Sequence, residues 1–473
     1  MPNFKEYNQA QGMFMTMIPN ELLEPDHPAR IIDTIVESLN LNTMINHYSD
    51  EGNEAYDPKM MTKVLFYSYQ QGIFSGRKMQ AGLKVRADFI YLSGGQVPDF
   101  RTLNLFRIRH KKVLIDIFAQ IVILCDRLDM VDFKNLAVDG QKIQANASFK
   151  KNYNRDRLEK ALKRVKNGIT KLLDKEINDS FTQEIKKVRI SRLEKKKDEL
   201  KKLQKELESI LDEKASINQT DKDAKIMKHK DRRIVPSYNH QSAVDEKCGI
   251  TVTVQTTQSN DNSADLFSIL DQSIENSGKK HENILADCGF ADYESLEKME
   301  TQRDEKFYVP DKLFDCSKKS PDEDGKIRSD QFELREDGNY YCPNGKVMEE
   351  KQLNTFKDSH STTIYECKGC IDCPLKKRCT KGKARTITID SREDYRRQMR
   401  ERLKSDQGRE IYMKRQYIVE VGHGNDQKNK GWKQHYLRGL TKASLEFLLM
   451  RIGSNLGKII KFRPNEILAM ELH

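Results

Sequence analysis

The chain has 473 residues, 33% charged and 37% hydrophobic, which is enough apolar material for two or three domains and too much for wholesale disorder. Its 83 Lys and Arg exceed its 72 Asp and Glu, a formal net charge of +11 that suits a polyanionic partner. No apolar run approaches bilayer-spanning length, and Met1-Pro2-Asn3-Phe4-Lys5-Glu6 opens neither a secretory nor a transit signal, so a cytoplasmic protein without a membrane partner is expected.

Helices come first. Asp26-His27-Pro28 is a start signal followed by an apolar face of Ile31, Ile32, Ile35, Val36 and Leu39, and Asp57-Pro58 opens a second helix with Met61, Val64 and Leu65 inward. Ser75 to Val85 reads as a third. Ser93-Gly94-Gly95-Gln96-Val97-Pro98 breaks the chain, and Arg101 to about Cys125 reads as one long helix with a basic start. With Arg101, Arg107 and Arg109 in that start, residues 1–130 read as a helical DNA-binding domain of helix-turn-helix kind; a solvated basic face on an ordinary bundle is the equally open alternative.

Asn135 to Val138 is an apolar run that ends at Asp139-Gly140, the pattern of a buried strand that delivers a carboxylate to the rim of a sheet. Ile284-Leu285-Ala286-Asp287, with Gly289, repeats it. Between them, Tyr153 to Asp212 is rich in Lys, Glu and Leu, with seams at Leu158, Leu162, Val165, Ile169 and Leu172 and at Leu193, Leu200, Leu203, Leu207 and Ile210. Asn178-Asp179-Ser180 separates the halves, so residues 151–233 are expected to insert an antiparallel coiled-coil hairpin. Strand patterns return at Tyr238 to Asp245 and Gly249 to Thr257, then a helix over 261–275, the Asp287 strand, a further helix and a short strand at Phe307 to Pro310. This order predicts an α/β sheet with interruptions.

Of nine cysteines, Cys125, Cys248, Cys288 and Cys316 are scattered and read as plain thiols. The other five cluster within residues 311–385: Cys342-Pro343-Asn344-Gly345-Lys346 has the form of a thiolate turn, and Cys367-x2-Cys370-x2-Cys373-x5-Cys379 follows. Four such ligands make a closed tetrahedral site, so a structural Zn2+ is expected. Spacing does not fix which four bind; Cys342, Cys370, Cys373 and Cys379 are the expected set, with Cys367 spare.

Tyr412 to Gly424 places Glu420 on a predicted helix, followed by Lys428, Lys430, Trp432 and Lys433, then Leu437-Arg438-Gly439-Leu440 and an apolar helix ending near Asn455-Leu456. Together with Tyr56-Asp57-Pro58, Gly72-Ile73-Phe74-Ser75-Gly76-Arg77-Lys78, Pro98-Asp99-Phe100-Arg101-Thr102, Val138-Asp139-Gly140, Ala145-Asn146-Ala147-Ser148, Tyr238-Asn239-x-Gln241, Ala286-Asp287-x-Gly289, Tyr412-x2-Arg415 and Val419-Glu420, these segments resemble bacterial insertion-sequence transposases of the DDE type. The resemblance implies a ribonuclease-H-like mixed sheet over 131–150, 234–310 and 386–473. It implies Asp139, Asp287 and Glu420 as catalytic acids holding two Mg2+ or Mn2+ ions, with Tyr412 and Arg415 assisting at the DNA backbone. Lys428, Lys430 and Arg438 are expected DNA contacts.

The partners implied are the terminal repeats of the element, target DNA and further copies of the chain on DNA. A transposase-derived DNA-binding protein that no longer cuts is the alternative reading. The sequence departs from the family pattern at Gln141, where a threonine is usual, at Gly422-His423, which replaces a Val-Phe pair, and at Gln427, where a phosphate-binding lysine is expected and Lys428 is the adjacent substitute. Should Glu420 not be the third acid, Glu446 is the next candidate.

Overall fold

A computed structural model of the chain describes residues 18–48, 54–174, 180–212, 215–259, 266–312, 314, 326–356 and 360–470. By contact it divides into two units, Met1–Ile121 with Leu448–His473, and Val122–Phe447. The terminal segment expected to belong with the sheet, residues 448–473, thus groups instead with the N-terminal helices.

In the first unit, α1 (Pro28–Ser38) and α2 (Pro58–Gln70) start where the Asp-Pro and His-Pro signals place them. Pro28 and Pro58 occupy first-turn positions where no amide is missed, while His27 and Asp57 accept hydrogen bonds from the free amides behind them. Their predicted apolar faces are buried. α3 spans Gly76–Val85, and α4 (Ala87–Ser93) was not anticipated; Gly94 ends it in the left-handed region, φ +58°.

The single helix expected from Arg101 to Cys125 is two, α5 (Phe100–Arg109) and α6 (Lys111–Arg127). The break falls at His110, whose buried ring lies against Phe106 and stacks on Tyr48, with the Tyr48 hydroxyl 3.1 Å from Nε2. Burial and the Arg109 charge hold that imidazole neutral, its pKa lowered to about 4.

The second unit is built on a six-stranded mixed sheet. Its strands are β1 (Asn135–Gln144), β2 (Lys225–Lys228), β3 (Ile234–Asp245), β4 (Thr251–Thr257), β5 (Asn283–Leu285) and β6 (Lys306–Tyr308). The order is β2-β3-β1-β5-β6, with β4 also on β3; β1 is antiparallel to β3 and parallel to β5, and β5 is parallel to β6. Strand β1 does not end at Asp139. It runs on to Gln144 paired with β3, but β5 covers only Asn135 to Ala137, so from Asp139 onward one edge of β1 is uncovered by β5.

Two helices, α7 (Arg155–Leu173) and α8 (Ser180–Glu208), leave the sheet between β1 and β2. They run antiparallel: Arg155 donates to the carbonyls of Leu207 and Ile210, and Lys186 to that of Leu173. Leu158, Leu162, Val165, Leu200, Leu203 and Leu207 form a buried core of their own with Tyr153 and Ile217. Asn178 and Asp179, expected at the turn, lie outside the described residues.

Downstream come α9 (Leu266–Ser277) and α10 (Tyr293–Thr301), then a small antiparallel sheet of β7 (Glu349–Thr355), β8 (Ser361–Cys367) and β9 (Arg385–Asp390). Around it Phe332, Tyr340, Met348, Cys367, Cys370 and Ile387 form a separate core. Helices α11 (Glu393–Lys404) and α12 (Asp406–Gly424) follow, with a π turn over Asn425–Asn429 continuing α12. A Cβ on Gly408 would stand 1.9 Å from the Arg402 carbonyl oxygen, so the sharp turn between these helices admits only glycine. Helix α12 packs on β1 and β3. Helix α13 (Leu440–Phe462) begins in this unit and ends in the first.

Candidate active site

Asp139, Asp287 and Glu420 line one cleft of about 1520 Å³ in the second unit. Asp139 comes from the open edge of β1. Asp287 follows β5, where it caps a short turn by accepting the Gly289 amide at 2.9 Å. Glu420 comes from α12, is exposed, and accepts a hydrogen bond from Gln416 Nε2 at 3.2 Å. The sheet topology and the packing of α12 on β1 therefore put three acids that lie up to 281 residues apart in sequence, 420 − 139, on the lining of one cleft.

Asp139 is 6% exposed, and burial raises its pKa, with the Asp287 charge acting in the same direction and Arg415 and Lys230 opposing. The two aspartates are thus within electrostatic reach of each other. Two basic groups of α12 stand at the Asp139 carboxylate: Arg415 Nη1 is 3.8 Å from Oδ1 and His423 Nδ1 is 3.9 Å from Oδ2. His423 Nε2 lies 3.2 Å from the hydroxyl of Ser242, the residue paired with Asp139 across β3. Ser242 is buried, so this serine, histidine and aspartate form a strut between helix and sheet rather than an accessible nucleophile. Arg415 also faces Tyr412, its guanidinium carbon 5.9 Å from the ring centre; Tyr412, Asp139 and Asp287 outweigh the burial that would discharge it, and its pKa rises.

The donors suit a hard divalent cation, because oxygen ligands from two aspartates and a glutamate face one cleft with room for water and phosphate. Among the described residues, however, no group of three or more His, Cys, Asp or Glu is already gathered closely enough to hold a metal ion. The same holds at the cysteines. Cys342, Cys367, Cys370, Cys373 and Cys379 all line one pocket of about 20 Å³, room for little more than one water-sized sphere. Cys367, expected to be spare, is buried, and its thiol lies within hydrogen-bonding reach of Cys370 and Cys342; burial, with those neighbours, pushes its pKa up to about 12. Cys316 lies outside the described residues.

The residues expected to touch DNA separate into groups. Lys428 is exposed and lines the acid cleft with Gln427 and Lys433. Lys430 is half-buried, and burial lowers its pKa to about 8. Arg438 donates to the Asn146 carbonyl at 3.1 Å, which docks its segment on the Ala145-Asn146-Ala147-Ser148 stretch after β1. Arg101 and Arg109 are exposed, Arg109 with its guanidinium over Tyr48. Arg107 is a correction: it is 2% exposed and its guanidinium donates to the Tyr69 hydroxyl, the Phe74 carbonyl and Asn104, so it serves the helical core and presents no charge to a phosphate.

Glu446 is also removed from the candidate acids. It is fully buried and accepts hydrogen bonds from the amides of Tyr436 and Leu437, and its Oε2 lies 2.9 Å from His435 Nδ1. His435 in turn bonds His240 at 2.9 Å, and Trp432 and Phe447 enclose the pair. Trp432 is accordingly a core residue. Nearby, Asp221 and Asp223 accept the amides of Gly439 and Leu440, so the Leu437-Arg438-Gly439-Leu440 motif is held by carboxylates at the entry to β2.

Sequence reasoning missed the tip between β2 and β3. Lys228, His229, Lys230 and Arg233 line the acid cleft, although their segment reads as the end of the inserted hairpin. The run Lys228-His229-Lys230-Asp231-Arg232-Arg233 between two short apolar stretches is a turn signal that was available.

Comparison with known families gives two matches. Residues 18–109 match a transposase domain (DUF772), and residues 341–460 match a transposase DDE domain, a span that takes in Glu420 and the cysteine cluster but neither aspartate. No curated protein and no solved structure matched. The two matches define a transposase. Both matches are to transposase domains and support an insertion-sequence transposase of the DDE type.

Proposed function

We propose that this protein binds the ends of an insertion sequence and catalyses metal-dependent cleavage and transfer of their strands, using Asp139, Asp287 and Glu420 as one site. The observation that carries the reading is that β1, the end of β5 and α12 present these three acids to one cleft. The strand order and directions, with the antiparallel trio β4-β3-β1 followed by two parallel strands, support a ribonuclease-H-like core. Bound Mg2+ or Mn2+ ions would activate the attacking water or 3′-hydroxyl and stabilise the leaving oxygen.

The chain's own residues do the rest. Asp139, Asp287 and Glu420 would hold the cations; Arg415, on α12 beside Asp139, would neutralise a non-bridging phosphate oxygen; and the Ser242–His423 strut would fix the helix that carries Glu420 against the sheet that carries Asp139. The five cysteines line one small pocket and would supply thiolates to a structural Zn2+ once drawn together.

Incubating the protein with DNA that carries the sequences flanking its reading frame, with and without Mg2+, tests the reading. Wild type should cleave only with Mg2+, and Asp139→Asn should bind the DNA without cleaving it. Metal-independent cleavage, or full activity in Asp139→Asn, would remove the proposal. The position of Glu420, turned to Gln416 in an ungathered site, favours a second reading, a DNA-binding derivative that no longer cuts. Binding without cleavage by wild type itself would select it.

A further inference from the structure

We propose that the turn between β2 and β3 is a phosphate clamp, which grips the DNA backbone beside the bond to be cut. The proposal rests on the reading of the acid cleft as a DNA-cleaving site and adds the residues that hold the strand there. Three acids on one cleft repel a polyanion, and cations gathered at those acids offset the charge only locally. The phosphates to either side of the scissile one need positive groups of their own.

The turn supplies them. Lys228, Lys230 and Arg233 are exposed and line the cleft. Lys230 lines the same cleft as Asp139 and Asp287. Among the described residues neither Lys228 nor Lys230 has a carboxylate partner, whereas Arg233 is paired with Asp231 at 2.7 Å. Two lysines facing an acid cleft without being neutralised by it are available to an incoming phosphodiester.

The turn is also built to hold its shape. Lys228 and Ile234 are the last paired residues of the ladder. Beyond them the His229 amide donates to the Arg233 carbonyl at 2.9 Å, and the Arg232 amide donates back to the His229 carbonyl at 3.0 Å. Arg232 adopts φ +67°, the left-handed conformation that closes the turn. His229 Nε2 sits 2.7 Å from the hydroxyl of Ser237 on β3, and Arg233 Nη1 donates to Gln144 on β1 at 3.2 Å. A turn pinned at both of its ends to the sheet that carries Asp139 loses little freedom on gripping a strand, so its charges act at a fixed distance from the acids.

The test is DNA binding measured without added divalent cation, so that no cleavage intervenes. A labelled mixed-sequence duplex is titrated with wild type, with Lys228→Ala/Lys230→Ala/Arg233→Ala, and with Lys195→Ala/Lys196→Ala/Lys201→Ala, which removes the same charge from exposed positions of α8. The clamp variant should bind at least about tenfold more weakly, and its log Kd should depend on log salt less steeply by about 2 to 3, the slope expected for the loss of roughly three phosphate contacts. The α8 control should stay near wild type in both respects. Equal affinity and salt slope in wild type and clamp variant overturn the proposal, as does an equal loss in the α8 control. Thermal unfolding of each variant identifies a loss that comes from misfolding, and in that case the charge-preserving Lys228→Arg/Lys230→Arg/Arg233→Lys must restore wild-type slope for the clamp to stand. If wild type binds no DNA at all, the functional reading itself fails; if it binds and the clamp variant matches it, only the clamp does.

Discussion

The acid cleft and the cysteine pocket each gather candidate ligands from distant segments, yet they leave different amounts of room. The cleft holds about 1520 Å³ and is rimmed by lysines and arginines; the pocket holds about 20 Å³ and sits in a small core of Phe332, Tyr340, Met348 and Ile387. A reaction on a polymer needs open space and charge, while a structural ion needs enclosure by ligands that leave no position for substrate. The two also differ in what offsets them. At the cleft Arg415 and His423, both on one helix, stand 3.8 and 3.9 Å from the Asp139 carboxylate. At the pocket the neighbours of Cys367 are other thiols, and burial with those neighbours raises its pKa.

That contrast predicts unequal responses to the loss of one ligand. The largest is at the pocket, where Cys367 and Cys370 belong to the small core itself and Cys342 and Cys379 pack against it. Protein purified without chelator should carry about one zinc per chain. Cys370→Ser should lose the zinc and open the segment between Ile327 and Asp390 to protease; folded wild-type protein free of zinc would remove the claim. Comparing Cys367→Ser with Cys373→Ser then sharpens the ligand set, since the one that keeps full zinc is the spare.

At the cleft, His423→Phe restores the aromatic side chain usual in the family while cutting the link between Ser242 and Asp139. Cleavage by this variant should slow by about tenfold to a hundredfold, the effect of a small misplacement of reacting groups, with DNA affinity unchanged. His423→Asn, which keeps a polar end, should recover part of the rate. A wild-type rate in His423→Phe would show that the strut does not position the site.

The smallest effect is expected at Lys430. Burial depresses its pKa in the folded chain to about 8, below the ordinary lysine value near 10.4 that it regains on unfolding. The folded chain therefore gives up this proton first as pH rises, and its stability increases between about pH 8 and pH 10.4; below pH 8 both states carry the charge and the burial cost stays in full. Lys430→Met should stabilise the protein at neutral pH and flatten that rise in chemical denaturation measured across the window. An unchanged pH profile would mean that the ammonium is well solvated.

Much of this was legible in the residues. Asp-Pro and His-Pro starts placed α1 and α2, because a proline in the first turn and a capping side chain act locally. Leucine spacing placed the α7–α8 pair because most of its core comes from the two helices, with Tyr153 and Ile217 added from outside them. What failed was decided by tertiary partners. No local signal says that His110 will be buried against Tyr48 and divide a helix, or that β1 will continue past Asp139 because β3 pairs with it while β5 stops short. Arg107 reads as a surface charge until Tyr69, Phe74 and Asn104 take its donors. The clamp turn was hidden by its position at the end of a Lys-rich insertion, where composition masked a two-strand ladder.

Glu420 is where the account is most exposed, because it alone of the three acids lies on the surface of a helix and bonds a neighbour on that helix. The direct measurement is Mg2+-dependent cleavage and strand transfer on the element's own ends by Asp139→Ala, Asp287→Ala, Glu420→Ala and the Asp139→Ala/Glu420→Ala pair, with DNA binding followed in parallel. The account predicts that each single variant falls to the same residual level, that the double variant falls no further, and that all four still bind DNA, since removing one ligand already disables a shared site. Wild-type strand transfer by Glu420→Ala, or losses that multiply in the double variant, would contradict it.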